Sequence, residues 1–220
     1  MSTKQTIAII GATGNMGSAI AKSLSKSNNR LLLFANHQDK VKSVVDEIIT
    51  GNPSAEVEAI ACPVNASWEA DIIIFAVPFA AEKDLAKAIN EVANQKIVIS
   101  ISNPLNETYN GLITAPDTSA AEELQKLLPN AKVVKTFNTI FAANFASPVI
   151  DGKQVDAFVA GNDEAAMETV SELVKTAGLN PIVAGDLSVS RTLENMALLL
   201  IRLTMKYNYN WLAGWKVLHN

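Results

Sequence analysis

Apolar positions along this chain follow two rhythms that take turns. Short apolar or β-branched runs occupy residues 6–10, 31–34, 71–77, 97–101 and 132–136, with a weaker one at 55–60. Runs of this length and content predict strands buried on both faces. Between them apolar residues recur at helical spacing, as at Met16, Ile20 and Leu24. That period predicts amphipathic helices over 14–24, 40–49, 82–92 and 118–128. Gly51-Asn52-Pro53 stops the second helix, and Pro78 closes the strand at 71–77. Strands alternating with helices call for a parallel sheet covered on both faces, a doubly wound α/β fold.

Past residue 140 the rhythm changes. A helical turn at 142–145 is followed by a strand at 157–160, a helix at 164–176 and a strand at 181–184. A long last helix is expected over 188–218, apolar almost all round between Met196 and Leu203. Such a helix lies deep in a domain or is shared with a partner subunit. The division expected is a dinucleotide-binding domain over 1–140 and a small C-terminal α/β domain over 141–220, which holds the substrate cleft and a homodimer contact.

Composition narrows the classes. Of the 220 residues 49% are hydrophobic, enough for a sizeable core and unlike a disordered chain. Eighteen basic against 22 acidic side chains give a net charge of −4, which argues against nucleic acid and acidic membranes as partners. No apolar run approaches the roughly 20 residues that span a bilayer. The opening Met-Ser-Thr-Lys-Gln carries no signal-peptide core, so a cytoplasmic protein is expected. One cysteine and two histidines leave no disulfide and no zinc centre.

The richest stretch is Gly11-Ala12-Thr13-Gly14-Asn15-Met16-Gly17, between the first strand and the first helix. A dinucleotide fingerprint occupies that position in a Rossmann-type sheet. Gly11 permits the sharp exit from the strand, Gly14 lets a pyrophosphate approach the backbone, and Gly17 allows close helix–sheet packing. Free amides at the helix start then face the phosphates at a positive helix terminus.

The end of the second strand selects the cofactor. NAD enzymes carry an acidic residue there, whereas this chain reads Ala35-Asn36-His37 with Lys40 close behind. Asn36, His37 and Lys40 donate hydrogen bonds that suit a 2′-phosphate, which favours NADP. Ala76, Val77 and Pro78 end the central strand where ligands bind, with Phe79 and Ala80 on the same wall. Asn103 ends the next strand and is either a cofactor contact or a turn residue before Pro104.

No proton donor stands out. Tyr109 and Tyr207 lack a lysine four positions on, and neither histidine suits catalysis. Hydride exchange between two rings needs no such acid, only orientation and a dry slot.

The chain resembles the NADPH-dependent deazaflavin coenzyme reductase family. It is also similar to the cytosolic oxidoreductase domain of six-transmembrane metalloreductases. The resemblance runs through the glycine turn, residues 135–145, Val159-Ala160-Gly161-Asn162-Asp163 and residues 187–195. It implies a Rossmann domain with a small C-terminal domain, often as a homodimer, exchanging hydride between NADP and a flavin or deazaflavin. By that resemblance Thr13, Gly14, Asn15 and Met16 hold the pyrophosphate, Thr139 and Ile140 reach the nicotinamide, and Ser190, Arg191 and Glu194 join the two parts. Some members carry a Ser-Arg pair where this chain has Ala35-Asn36. Asn138 and Phe141, which flank Thr139-Ile140, stand where some carry His and Pro, and fall in the acceptor slot. Arg191 and Glu194 also suit a simple mutual ion pair, and Trp211 and Trp215 a helix or dimer contact. Two other readings stand beside it. One is an NADP-sensing protein without turnover, which fits the same absences. The other is an imine reductase resembling pyrroline-5-carboxylate reductase, which shares the nucleotide half but has a longer C-terminal helical domain.

Overall fold

The computed structural model describes residues 4–219. Residues 1–3, part of the stretch read above as lacking a leader core, lie outside the described residues, as does Asn220. Six strands follow the expected positions: β1 (Thr6–Ile10), β2 (Arg30–Phe34), β3 (Glu56–Ala59), β4 (Ile72–Phe75), β5 (Ile97–Ser100) and β6 (Lys132–Lys135). They pair in parallel, in the order β6-β5-β4-β1-β2-β3. A small hairpin, β7 (Val149–Ile150) with β8 (Lys153–Gln154), leads to β9 (Asp156–Gly161) and β10 (Asn180–Gly185). These last two strands extend the same sheet beyond β6, and β9 runs antiparallel to it. Strand direction therefore reverses after residue 140.

The strand pattern has a plain packing cause. On β1, Ile7 and Ile9 enter one core while Ala8 and Ile10 enter the other, because successive side chains point to opposite faces. Helices α1 (Asn15–Leu24), α2 (Gln38–Gly51) and α6 (Glu164–Thr176) cover the first face. Helices α3 (Pro63–Glu69), α4 (Phe79–Ile89) and α5 (Ala120–Leu127) cover the second. All five residues of β1 except Thr6 are buried.

Three elements depart most from the sequence expectation, the first being a helix it did not include. Helix α3 has only seven residues, starting on Pro63, too short for a readable period. Helix α4 begins at Phe79 rather than residue 82, because Pro78 holds the extended backbone of an N-cap. The largest correction is at the end. Helix α7 (Ser190–Tyr207) stops eleven residues early, since Asn208 turns left-handed at φ 54° and Tyr209 N–H donates back to Thr204 O at 3.2 Å. Trp211, Trp215 and Leu218 keep a helical spacing without a helix. The tail, without regular secondary structure, instead returns to β9: Asp156 N–H donates to Trp215 O at 2.9 Å, and Trp215 packs with Phe158, Ala160 and Leu193. The Asp156 carboxylate accepts from Lys216 Nζ at 2.7 Å, Val217 N–H at 2.6 Å and Asn180 Nδ2 at 2.6 Å. Burial opposes its ionisation, but these donors outweigh it and hold the carboxyl below the usual range. No helix of the described residues is long and apolar enough to cross a membrane.

Candidate active site

The glycine turn leaves β1 at Gly11, whose φ of 95° favours glycine. Gly11 and Ala12 N–H both donate to Phe34 O, at 2.8 and 3.0 Å, so the turn is tied to the end of β2. The three glycines have different duties. A Cβ on Gly11 would lie 2.2 Å from Ala76 O, and one on Gly17 would lie 2.2 Å from Gly11 O. Both are demanded by packing. A Cβ on Gly14 would meet Gly11 O at 3.4 Å, an ordinary contact, and Gly14 has an unstrained φ of −74°. The fold itself places no demand on Gly14, which leaves ligand approach as its reason. The first turn of α1 holds no acidic side chain, and its amides point outward from the helix start.

Beside this turn lies a cleft of about 300 Å³. It is lined by Asn15 and Met16 from α1, Asn103, the segment 138–143, Ala197, Leu200 and Ile201 from α7, and Trp211. Of the expected site residues, Asn15, Met16, Asn103, Asn138, Thr139, Ile140 and Phe141 meet here. The turn residues Gly11, Thr13, Gly14 and Gly17 flank it. Asn36, His37 and Lys40 stand exposed around the start of α2, outside the cleft but beside the strand end that holds the turn. Ala76 and Val77 press on Gly11, and Pro78 caps α4. Ala142 and Ala143 belong to the stretch 135–145 that carries the resemblance, whereas Ala197, Leu200, Ile201 and Trp211 were not anticipated as lining. The apolar girdle of α7 was the signal for Ala197, Leu200 and Ile201, and it suited a place deep in a domain as well as a subunit contact.

Backbone geometry shapes the cleft floor. Phe137 adopts φ 59°, rare for a bulky residue and costing about 1–3 kcal/mol. Its ring is buried edge-on to Phe145, at 5.3 Å between centroids. This kink turns the chain out of β6 and into the cleft. Asn103 Nδ2 donates to Asn138 O at 2.8 Å, while Asn138 Nδ2 donates to Asn103 Oδ1 and Leu193 O, both at 3.0 Å. Asn103 is thus far more than a turn residue. Asn138 Oδ1 and Thr139 Oγ1 stay buried without a hydrogen-bond partner among the described residues. Both residues line the cleft, so their unmet hydrogen-bonding capacity lies just beneath its surface.

Behind the floor sits a buried charge cluster that the sequence hid. Lys135 Nζ donates to Glu194 Oε1 at 2.6 Å and Ser102 O at 2.5 Å, with both side chains fully buried. Glu194 Oε2 accepts from Ala120 N–H at 3.1 Å. Arg191 instead makes a two-pronged pair with Glu122, Nε to Oε2 at 2.9 Å and Nη2 to Oε1 at 2.5 Å. A mutual Arg191–Glu194 pair is therefore excluded; each residue ties α7 to a different element. Burial lowers the Lys135 pKa while the Glu194 carboxylate opposes that fall.

Glu82, on the first turn of α4, completes the cluster. Burial pushes its carboxyl up to about 8, against the pull of Lys135 and with the push of Glu194. The folded protein then keeps a proton that the unfolded chain releases near 4.5. Stability should fall as pH rises from about 4.5 to about 8 and stay level above. Glu82→Gln should flatten that slope and gain on the order of a few kcal/mol at pH 8 and above. Thermal unfolding across a pH series checks this; parallel slopes in both proteins would refute it.

A Rossmann-type sheet, a glycine turn and a cleft at the carboxyl ends of its strands together define a dinucleotide-binding protein. Residues 6–104 match the family model described as NADP oxidoreductase, coenzyme F420-dependent. The chain is 32% identical over 212 residues to the F420-dependent NADP reductase of Methanocaldococcus jannaschii, covering 91% of this chain and 93% of that protein. A crystal structure titled a putative F420-dependent NADP reductase, from Arthrobacter sp. FB24, superposes with a TM-score of 0.84 at 25% identity. It covers 98% of this chain and 100% of that one. A shorter stretch is 32% identical over 106 residues to metalloreductase STEAP3 of Rattus norvegicus, 48% of this chain and 21% of that protein. The chain belongs to the F420-dependent NADP reductase family.

Proposed function

We propose that this protein is an NADP-dependent oxidoreductase that passes hydride between NADPH and a deazaflavin of the F420 class. The observation that carries this reading is the cleft itself, which runs from the phosphate-binding turn to an apolar end without an acid–base side chain in its lining. The nicotinamide supplies two electrons and one hydrogen to the acceptor ring, and a solvent proton completes the reduced product. The protein's part is binding, orientation and exclusion of water.

In this reading the turn Gly11, Thr13, Gly14, Asn15, Met16 and Gly17 holds the pyrophosphate, with the amides of Thr13, Asn15 and Met16 as donors and the glycines keeping the approach open. Asn36, His37 and Lys40 hold the 2′-phosphate, and Ala76, Val77 and Pro78 wall the adenosine side. Asn103, Thr139 and Ile140 seat the nicotinamide. Asn138 and Phe141 face the acceptor. Residues 1–140 form the nucleotide-binding part, and 141–220 complete the cleft and make a homodimer in the cytoplasm, with no nucleic-acid or membrane partner.

The test is NADPH oxidation in the presence of F420, followed beside NADH, FMN and ferric chelates. F420 reduction by NADPH should outpace all other pairs. The His37→Ala/Lys40→Ala variant should lose about tenfold in NADPH affinity with NADH unaffected. Faster reaction with NADH would reverse the cofactor assignment.

A further inference from the structure

Trp211 is an anomaly that the proposed chemistry does not yet use. It lines the cleft, yet it remains 52% exposed, and its backbone sits at φ 55°. A left-handed tryptophan is strained, and such strain persists where the surroundings enforce it, often at ligand clamps. The surroundings here are explicit. Residues 208–213 bridge two fixed points: the end of α7 on one side, and the Asp156 anchor of Lys216 and Val217 on the other. Asn208 and Asn210, also left-handed, shape the strap between them. Gly214 lets it lie close to β9's approach, since a Cβ there would fall 2.5 Å from Val155 Cγ1.

The strap brings the Trp211 ring to Phe141, edge to face at 5.4 Å between centroids and 77° between planes. Two aromatic rings near a right angle make a corner. Ala197, Leu200 and Ile201 add apolar surface to the same cleft. The cleft is thus aromatic where the strap meets it.

Resting on the deazaflavin reading above, we propose that Trp211 is a specificity-determining residue. Its ring forms the stacking wall for the flat polycyclic acceptor, and the strap sets its position. A planar ring gains dispersion and quadrupole contact from such a wall, on the order of tenfold in affinity. A small aliphatic imine or a free metal chelate gains nothing comparable.

Calorimetry with F420 and separately with FMN, in the presence of NADP, tests this on wild type, Trp211→Ala and Trp211→Phe. Trp211→Ala should weaken F420 binding about tenfold and Trp211→Phe at most about threefold. NADPH binding should stay within about twofold of wild type in both. Binding of F420 should also quench tryptophan emission, and Trp211→Phe should remove most of that quench. If Trp211→Ala binds F420 as tightly as wild type, the assignment of Trp211 is overturned while the deazaflavin reading stands. If wild type binds neither F420 nor FMN, both fall together. If Trp211→Ala unfolds, the Trp211→Phe pair of measurements decides: an unchanged quench overturns the proposal.

Discussion

Gly14→Val should abolish measurable NADPH binding, at least about 100-fold weaker, while the thermal midpoint shifts little. The asymmetry among the three glycines is the reason. Gly11 and Gly17 are locked by contacts of 2.2 Å that any side chain would meet. Gly14 has no such contact, is exposed and adopts a backbone open to any residue. A side chain there occupies the space where a pyrophosphate meets the amides of α1. Alanine or valine at 11 or 17 should cost stability instead. Calorimetry beside thermal unfolding separates the two effects, and normal NADPH binding by Gly14→Val would refute the assignment of the turn.

Lys135→Met should destabilise the protein by about 3–5 kcal/mol, because it strands the Glu194 carboxylate in the interior. The lost donor also leaves Ser102 O without its 2.5 Å partner. Adding Glu194→Gln should recover much of the loss, since the amide oxygen still accepts from Ala120 N–H and no buried charge remains. Urea unfolding of the single and double variants gives the coupling directly. Equal stabilities of the two would show that the pair is not the source.

The sheet was legible because β-branched and aliphatic runs buried on both faces have few other uses. Gly11, Gly14 and Gly17 were legible because a strand, a turn and a helix met in order. Lys135 was not: a lysine after Val133-Val134 reads as a strand's solvated end, and only the arrival of Glu194 from α7, 59 positions later, makes it interior. Trp211 was lost for a related reason. Its spacing to Trp215 and Leu218 imitates a helix, while the backbone signals at Asn208 and Asn210 are single residues outweighed by that period. Asn103 and Asn138 each looked local, and their reciprocal bond appears only once β5 and β6 lie side by side.

One turn of α7 has a consequence for discrimination. Arg191, Leu193 and Glu194 fasten it to α5, to Asn138 and to β6 respectively. The gap between that helix and the opening loop is thereby fixed by protein alone, before any guest arrives. A slot set in this way should act like a caliper, admitting flat rings and turning away thick ones.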